Sequence, residues 1–186
     1  MTKHLRFVQV ALIFAIVAVP LMSTRAATAA SAEEIDRDAA AALKTLYHTE
    51  PKAKELGAIA KGILVFPNIL KAGFMVGAQV GEGALLVNGK TVGYYSTVAG
   101  SYGYQAGVQK FSYVMFLMTD SAMEYLNNSD GWELGVGPSI VVVDAGKART
   151  LTTTTAKDDI YAFIFAQKGL MAGLGLQGSK ITKIDK

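Results

Sequence analysis

The chain has no cysteine among its 186 residues, and it contains only two histidines, four prolines and one tryptophan. The absence of cysteine excludes disulfide bonds, thiol catalysis, thiolate metal ligation and a lipid anchor attached to a cysteine. Only His48 lies beyond the first thirty residues, and no His, Asp and Glu residues recur with the spacing of a metal site. We therefore expect no bound metal and no other cofactor.

The first 29 residues have the pattern of a secretory signal peptide. A basic start precedes an apolar run over residues 7–22, and small residues follow it. The run is shorter than the ~20 residues that a membrane-spanning helix needs, which favours removal over an uncleaved anchor. The A-x-A pattern predicts cleavage after Ala29, with a second candidate after Ala32. We therefore expect a periplasmic or secreted protein, with peripheral attachment to a membrane left open.

The net charge changes if this segment is removed. The full chain has eighteen Lys and Arg against fifteen Asp and Glu, a formal charge of +3. Lys3, Arg6 and Arg25 belong to the predicted signal peptide, whereas every acidic residue lies at or after Glu33. The remaining chain is therefore neutral, and we expect no nucleic-acid partner. Residues 31–186 are enough for a single domain with a hydrophobic core.

Helical periodicity dominates the first part of this domain. Ser31 and Glu34 have the spacing of a capping box, and the apolar residues that follow predict an amphipathic helix to about His48. Pro51 then suits the first turn of a second helix that ends at about Ala60.

From Gly62 onward the apolar residues alternate, which is typical of strands. About eight strands are predicted, with Asn88–Gly89 as a two-residue hairpin turn and one short helix capped by Asp120. The predicted fold class is α+β. The N-terminal amphipathic helices pack on a strongly bent, mostly antiparallel, barrel-like sheet.

Glycines occupy one face of the predicted strand at residues 71–83, and apolar side chains occupy the other. These glycines are Gly73, Gly77, Gly81 and Gly83. Glycine inside a strand marks a bulge, a bend or the close approach of another backbone. The pattern returns at residues 168–175. We expect small-residue packing on the face of Gly77 and Gly173, with the amphipathic helices lying against it.

Few motifs point to catalysis. Residues 173–178 read G-x-G-x-x-G, but neither a helix nor a distant acidic residue follows, so we expect no bound nucleotide. His48 has no nucleophile or orienting acid in a recognisable context. Glu82 and Glu133 would serve a hydrolase only if their carboxylates shared a pocket about 5–9 Å apart, and outward-facing strand positions are the favoured interpretation. We therefore expect no enzymatic activity.

A group of lysines follows the first predicted helix. Lys52, Lys54 and Lys61 lie on or beside the second predicted helix, and Lys71 lies at the start of the glycine-rich strand. A basic surface beside apolar residues can contact anionic lipid headgroups, where each lysine contributes about 1 kcal/mol. These four residues are the predicted lipid-binding site. The alternative interpretation is an ordinary solvated helix face.

Blocks spread along the chain resemble the SYLF-domain family. They are KGILVFPNILKAGFMVG at 61–77, GYYSTVAGSYG at 93–103, MTDSA at 118–122, GWELGVGPS at 131–139, LTTTT at 151–155 and QKGLMAGLGLQGSK at 167–180. The resemblance is to a bacterial secreted branch, related to the actin-binding domain of yeast actin-patch proteins. It implies a domain that binds phospholipids and phosphoinositides, with a membrane contact associated with its helical N-terminal part.

These features predict an exported protein that contacts anionic phospholipid membranes through a basic helical segment. The alternative is a structural or stress-related envelope protein that binds another protein through a sheet edge or an aromatic surface. Neither function requires an enzymatic activity.

Overall fold

The computed structural model describes residues 29–128, 132–133, 137–143, 157–169 and 179–186. Within these ranges the chain forms three helices and six strands. They are α1 (Ala32–Thr49), α2 (Pro51–Ile59), β1 (Gly62–Val87), β2 (Lys90–Leu117), α3 (Asp120–Asn128), β3 (Trp132–Glu133), β4 (Ile140–Val142), β5 (Ile160–Gly169) and β6 (Lys180–Ile184). The α+β class, with its helices first and a bent sheet after them, is confirmed.

Local sequence signals set the bounds of the first two helices. The Ser31 Oγ accepts a hydrogen bond from the Glu34 backbone N–H at 3.2 Å, and the Glu34 carboxylate accepts one from the Ser31 N–H at 3.0 Å. This is the predicted capping box, and α2 starts at Pro51 as predicted. Over the described residues, the helices lack the length and apolar character required to cross a bilayer.

Strands β1 and β2 form one long hairpin of 26 and 28 residues. Asn88 and Gly89 both have positive φ, 51° and 74°, as a two-residue turn of type I′ requires. Several short strands were predicted here, but the ladder runs on through three register irregularities in β1. Bulges and glycines bend the strands without ending them, which is why the sequence predicts more strands than the hairpin contains.

Strand β2 is the centre of the sheet because it pairs along both of its edges. β1 follows one edge over its whole length, while β6 pairs with residues 94–98 and β5 with residues 109–117 on the other. β3 extends the sheet beyond β6, and β4 extends it beyond β5. The β4–β5 pair is parallel and the other pairs are antiparallel.

Each face of the sheet buries its own apolar cluster. One face, called here the inner face, contacts α3 through Ala122 and Leu126. Its sheet residues include Leu64, Phe66, Leu85, Tyr113, Met115 and Ile181. The other face, called here the helix face, is covered by α1 and α2. Its cluster includes Ile35, Ala39, Leu46, Leu56, Val65, Ala84, Val114 and Phe116.

The glycine face of β1 is packed against the start of the same strand. A Cβ atom at Gly83 would overlap the carbonyl oxygen of Val65, and one at Gly81 would lie 2.9 Å from Cγ1 of Ile69. The expected bend and close backbone approach are therefore confirmed at these two glycines. Gly77 is buried as well, whereas Gly173 lies outside the described residues.

The expectation that the amphipathic helices cover the glycines is wrong at Gly81 and Gly83. Residues of β1 itself occupy that space, and the helices pack on the helix face instead. The physical reason is the parity of the strand: Gly83 and Leu85 share the inner face, whereas Ala84 between them points to the helices.

The short helix α3 is capped by a different residue from the one predicted. Asp120 lies in its first turn, and the Thr119 Oγ1 accepts the hydrogen bond from the Ala122 N–H at 3.2 Å. The predicted helix is present, with its cap shifted by one residue. A Thr side chain three residues before a backbone donor has the usual geometry of an N-cap.

Candidate functional site

The helical segment from α2 to Lys61 keeps three of the four predicted lysines on the surface. Lys54 is exposed, whereas Lys52 pairs with Glu55 at 2.9 Å and Lys61 pairs with Asp120 at 3.4 Å. Ile59 is 47% exposed on the same segment. This surface therefore combines an apolar side chain with three cations, two of which are partly offset by carboxylates.

Lys71 does not belong to that surface. It lies in β1 opposite Gln109 and is only 3% exposed, on the inner face of the hairpin. Gln79, Thr97 and Gln109 are buried with it as polar residues of the hairpin. The structure thus separates Lys71 from the three helical lysines, and its side chain is not available to a membrane surface.

Around Lys71 the hairpin reverses the usual arrangement in which apolar side chains are buried and polar side chains are exposed. Its polar side chains are buried, while apolar side chains of the opposite face are about half exposed. The exposed apolar residues, called here the valine row, are Leu70, Val80, Val98 and Val108. Val80 and Val98 are direct cross-strand partners. Single exposed apolar residues are ordinary, but neighbouring ones mark surfaces that bind something.

Of the two candidate catalytic carboxylates, only Glu82 has a side chain among the described residues. Glu82 forms an ion pair with Lys186 at 3.0 Å and accepts a hydrogen bond from the Ala30 N–H at 3.2 Å. The side chain of Glu133 lies outside the described residues, so the hydrolase alternative, which needs the two carboxylates in one pocket, is not tested. His48 is exposed at the end of α1. Among the described residues, no cluster of three or more His, Asp or Glu could hold a metal ion.

Asp159 accepts three hydrogen bonds from two residues that lie far from it in the sequence. It accepts from the Ser139 N–H at 2.9 Å, from the Ser139 Oγ at 3.0 Å and from the Thr119 Oγ1 at 2.9 Å. These donors, the Ser139 N–H first, hold the pKa of Asp159 below its ordinary value because they stabilise the ionised form. Through these hydrogen bonds Asp159 connects the start of β5 to the start of β4 and to the cap of α3.

Two β-bulges flank residues 111–112 of the central strand. The bulge in β1 contains Pro67 and Asn68, and the bulge in β5 contains Ala166 and Gln167. The Ser112 Oγ donates a hydrogen bond to the carbonyl oxygen of Pro67 at 2.8 Å, at the point where the backbone ladder is interrupted. Ala166 has a φ of 55°, which is uncommon for any residue other than glycine.

A cavity of about 390 Å³ lies between these bulges and α1. Lys110 and Lys168 line it and are direct cross-strand partners. The remaining lining residues are Asp38, Ala41, Ala42, Thr45, Pro67, Asn68, Phe111, Ser112, Phe165 and Ala166. This cavity is called here the bulge cavity.

Two further cavities continue the bulge cavity along α1. One, of about 480 Å³, shares Thr45, Phe165 and Ala166 with it and adds the apolar residues Leu46, Val143, Phe163 and Ile164. The other, of about 430 Å³, shares Asp38, Pro67 and Asn68 with it. The flank of α1 therefore borders a groove that follows the helix from near Glu34 to Glu50.

Comparison with known proteins finds a match to one protein family. No curated protein matches the chain. Residues 98–186 match the family described as Ysc84, Las17-binding protein actin regulator. This family is the SYLF-domain family, and residues 98–186 of the chain are similar to it. The family is linked to lipid binding and to the binding of actin regulators.

The SYLF match begins within β2 and includes β5, so it covers Lys110, Ser112, Phe165 and Lys168 of the bulge cavity. Sequence reasoning missed these residues because alternation alone places them on ordinary strands. One available signal was Pro67, since proline inside a strand is confined to edges, first positions and bulges. Gly169 beside Lys168 was another, because a glycine within a strand often marks a bulge or a close backbone approach.

Proposed function

We propose that this protein is an exported, non-enzymatic lipid-binding protein that contacts anionic phospholipid membranes through Lys52, Lys54 and Lys61. The observation that carries the proposal is Ile59, which is 47% exposed on the same helical segment as these lysines. Lysine side chains attract anionic headgroups, and an exposed apolar side chain gains free energy on entering the boundary of the acyl chains. The family's link to lipid binding agrees with this function.

The proposed contact is weak and sensitive to salt. Each lysine near an anionic surface contributes about 1 kcal/mol, and Glu55 and Asp120 offset part of this contribution. The Debye length falls from about 10 Å at 0.1 M ionic strength to about 3 Å at 1 M, so salt should release the protein. The protein would therefore be attached peripherally rather than anchored.

Export is supported by the order of the first 29 residues, which have a basic start, an apolar run and small residues. A periplasmic or secreted location follows from that pattern. Fractionation of the producing cell, with immunodetection of the processed chain outside the cytoplasm, tests this part of the proposal. Retention of the full-length chain in the cytoplasm would contradict it.

Vesicle co-sedimentation tests the membrane contact. A chain of residues 30–186 is mixed with vesicles of phosphatidylglycerol and phosphatidylcholine, and with vesicles of phosphatidylcholine alone. We expect binding to the anionic vesicles only, and its loss when Lys52, Lys54 and Lys61 are all replaced by Glu. The matched control replaces three other exposed lysines, Lys90, Lys157 and Lys183, by Glu. Equal losses in both triple variants would show that net charge, and not this segment, determines binding.

The absence of enzymatic activity is part of the proposal and has its own test. Purified protein is incubated with chromogenic ester and glycoside substrates, alongside a Glu82→Gln variant. We expect no turnover by either protein. Turnover that disappears in the Glu82→Gln variant would establish a hydrolase and overturn this part of the proposal.

A second candidate function is a protein-interaction module of the envelope, and the valine row favours it. Leu70, Val80, Val98 and Val108 are 47–58% exposed on one hairpin. Replacing Val80 and Val98 by Thr retains the strand propensity and lowers the apolar area. If this function is right, the double variant loses a defined envelope partner in a pull-down while it still binds anionic vesicles.

A further inference from the structure

We infer that the bulge cavity binds the anionic headgroup of a single-chain lipid between Lys110 and Lys168, with the acyl chain lying along α1. This site is separate from the helical lysines and concerns one lipid molecule instead of a membrane surface. The inference rests on the two lysines, on the two bulges and on the apolar cavity that continues the first.

The two lysines place two positive charges side by side on the sheet. As direct cross-strand partners they have Cβ atoms about 4.5–5.5 Å apart, and like charges in such positions destabilise a sheet. Both are exposed, and no ion pair joins either of them to a carboxylate within the described ranges. A headgroup with two or more charged oxygens would neutralise both ammonium groups at once.

The carboxylate that shares the cavity is already engaged. Asp38 accepts a hydrogen bond from the Asn68 side-chain amide at 2.9 Å on one oxygen. Its other oxygen pairs with Arg37 at 3.1 Å. Lys110 and Lys168 therefore leave the bulge cavity with a net positive lining, which complements an anionic headgroup.

The backbone around the cavity departs from regular pairing on both sides of β2. Two bulges interrupt the regular pairing on both sides of β2 where Ser112 and Lys110 line the cavity, and Ala166 has a positive φ at the same place. Bulges and strained residues of this kind cluster at binding sites because they direct side chains towards a ligand.

The neighbouring cavity provides room for an acyl chain. It continues the bulge cavity past Thr45 and Phe165, and most of its lining residues are apolar: Phe165 and Ala166 present exposed surface, whereas Leu46, Val143 and Phe163 are buried beneath it. The two volumes, about 390 and 480 Å³, lie within the range of ~300–1,000 Å³ usual for small-molecule sites. The groove is bounded by α1 on one side and the sheet on the other, so an acyl chain bound there would lie along α1.

The direct experiment is calorimetric titration of residues 30–186 with dodecyl phosphate below its micelle concentration. Inorganic phosphate provides the headgroup without the chain, and dodecyltrimethylammonium provides the chain without the anion. We expect saturable binding of dodecyl phosphate, with the other two probes at least tenfold weaker. Equal binding of inorganic phosphate would show a phosphate site, and equal binding of the cationic amphiphile would show an unspecific apolar cavity. Either result overturns the inference.

Two sets of variants locate the site. Replacing Lys110 and Lys168 by Glu should weaken dodecyl phosphate binding at least tenfold, while Arg at both positions should retain it. Ala41→Trp fills the bulge cavity and should abolish binding, whereas Ala40→Trp, at an exposed neighbour that lines none of the three cavities, should not. Equal affinities for the two Trp variants would place the lipid elsewhere and overturn the inference.

The membrane contact through the helical lysines and the lipid site in the bulge cavity can be tested independently. The variant with Glu at positions 52, 54 and 61 should lose vesicle binding and retain dodecyl phosphate. The variant with Glu at positions 110 and 168 should show the opposite pattern. If both variants lost both activities, one common surface would explain all of the binding, and the separate cavity site would be excluded. Circular dichroism of each variant confirms that the fold is retained.

Discussion

Gly83 lies so close to the carbonyl oxygen of Val65 that a Cβ atom at position 83 would overlap it. Both residues belong to β1, so the strand bends until its last third touches its first third. The same approach leaves a Cβ at position 83 only 2.7 Å from a ring carbon of Phe66, which is fully buried. The curl of the sheet therefore depends on a position without a side chain.

The first prediction is that Gly83→Ala destabilises the protein by about 3 kcal/mol, the upper part of the range for overpacked cores. The backbone of Val65 has to move, because a carbonyl group cannot rotate away as a flexible side chain can. Urea unfolding followed by circular dichroism measures the effect. Gly100→Ala is the matched control: nothing lies within 4 Å of its Cβ position, and alanine is favoured over glycine in a strand. Equal stability of the two variants would contradict the packing at Gly83.

Much of the fold follows from signals that act over a few residues. The capping box at Ser31, the proline at position 51 and the Asn88–Gly89 turn each specify local backbone geometry, and each occurs where it was predicted. Such signals need no knowledge of distant contacts, because capping hydrogen bonds and turn conformations form between near neighbours. Sequence reasoning was therefore most accurate for the helices and the hairpin.

Long-range relations could not be predicted in the same way. Alternation showed that the glycines share a face, but not that this face is buried together with Lys71, Gln79 and Gln109. Burial depends on how far the hairpin curls, and the curl depends on contacts between Val65 and Gly83. The bulge cavity was missed for the same reason, since it needs α1, β2 and β5 to meet.

The second prediction concerns the carboxylates beside the helical lysines. Glu55→Gln and Asp120→Asn remove the partners of Lys52 and Lys61 without changing the lysines themselves. If these lysines face anionic lipid, the double variant should bind phosphatidylglycerol vesicles several-fold more tightly than the wild-type protein. Its stability should change by less than about 1 kcal/mol, because exposed ion pairs contribute little.

Co-sedimentation at low and high salt measures this effect. Glu124→Gln and Asp185→Asn form the matched control, because both of these carboxylates are exposed and neither forms an ion pair with a described lysine. A gain of the same size in the control would mean that overall charge controls vesicle binding. If neither double variant bound vesicles more tightly than the wild-type protein, the helical lysines would not be part of the membrane contact.

The third prediction uses the lowered pKa of Asp159, which arises from hydrogen bonds donated by Ser139 and Thr119. A carboxylate whose pKa is lower in the folded state stabilises the protein above its unfolded pKa of about 3.9. That contribution is lost as the pH falls from there through the folded pKa. Asp159→Asn should therefore destabilise the protein at pH 7 by about 1 kcal/mol, less than buried hydrogen bonds to a charged group contribute, because solvent screens this partly exposed carboxylate.

The difference between wild type and Asp159→Asn should shrink as the pH falls below about 4, because the wild-type carboxylate is then protonated as well. Urea unfolding at pH 7, 5 and 3 measures this trend. Asp158→Asn serves as the neighbouring control, since Asp158 accepts from Tyr161 and not from the three donors of Asp159. A difference that stays constant over this pH range would contradict the assigned role.

The fourth prediction contrasts two tyrosines that are each only 1% exposed. The Tyr113 hydroxyl is buried without a hydrogen-bond partner among the described residues, and burial raises its pKa. The Tyr161 hydroxyl donates to the Asp158 carboxylate at 3.1 Å. We expect Tyr113→Phe to stabilise the protein by about 1 kcal/mol and Tyr161→Phe to destabilise it by about the same amount. Thermal unfolding of both variants provides the test, and destabilisation by Tyr113→Phe would contradict it.

The last prediction connects the predicted signal peptide with the structure of α1. Cleavage after Ala29 would leave an amino group on Ala30, whose nitrogen lies 3.2 Å from the Glu82 carboxylate, and would keep the Ser31 cap. Cleavage after Ala32 would remove both interactions. A chain starting at Ala30 should therefore be more stable than one starting at Glu33 by about 1–2 kcal/mol.

Mass spectrometry of the exported protein should find Ala30 as its first residue, because Ala27 and Ala29 provide the A-x-A pattern of a cleavage site. Urea unfolding of the two purified chains measures the difference in stability. Glu82→Gln should lower the stability of the chain starting at Ala30 more than that of the chain starting at Glu33, since both chains keep the Lys186 ammonium group beside position 82 and only the former adds the α-ammonium group of Ala30. A mature chain that starts at Glu33, or equal effects of Glu82→Gln in both chains, would contradict this prediction.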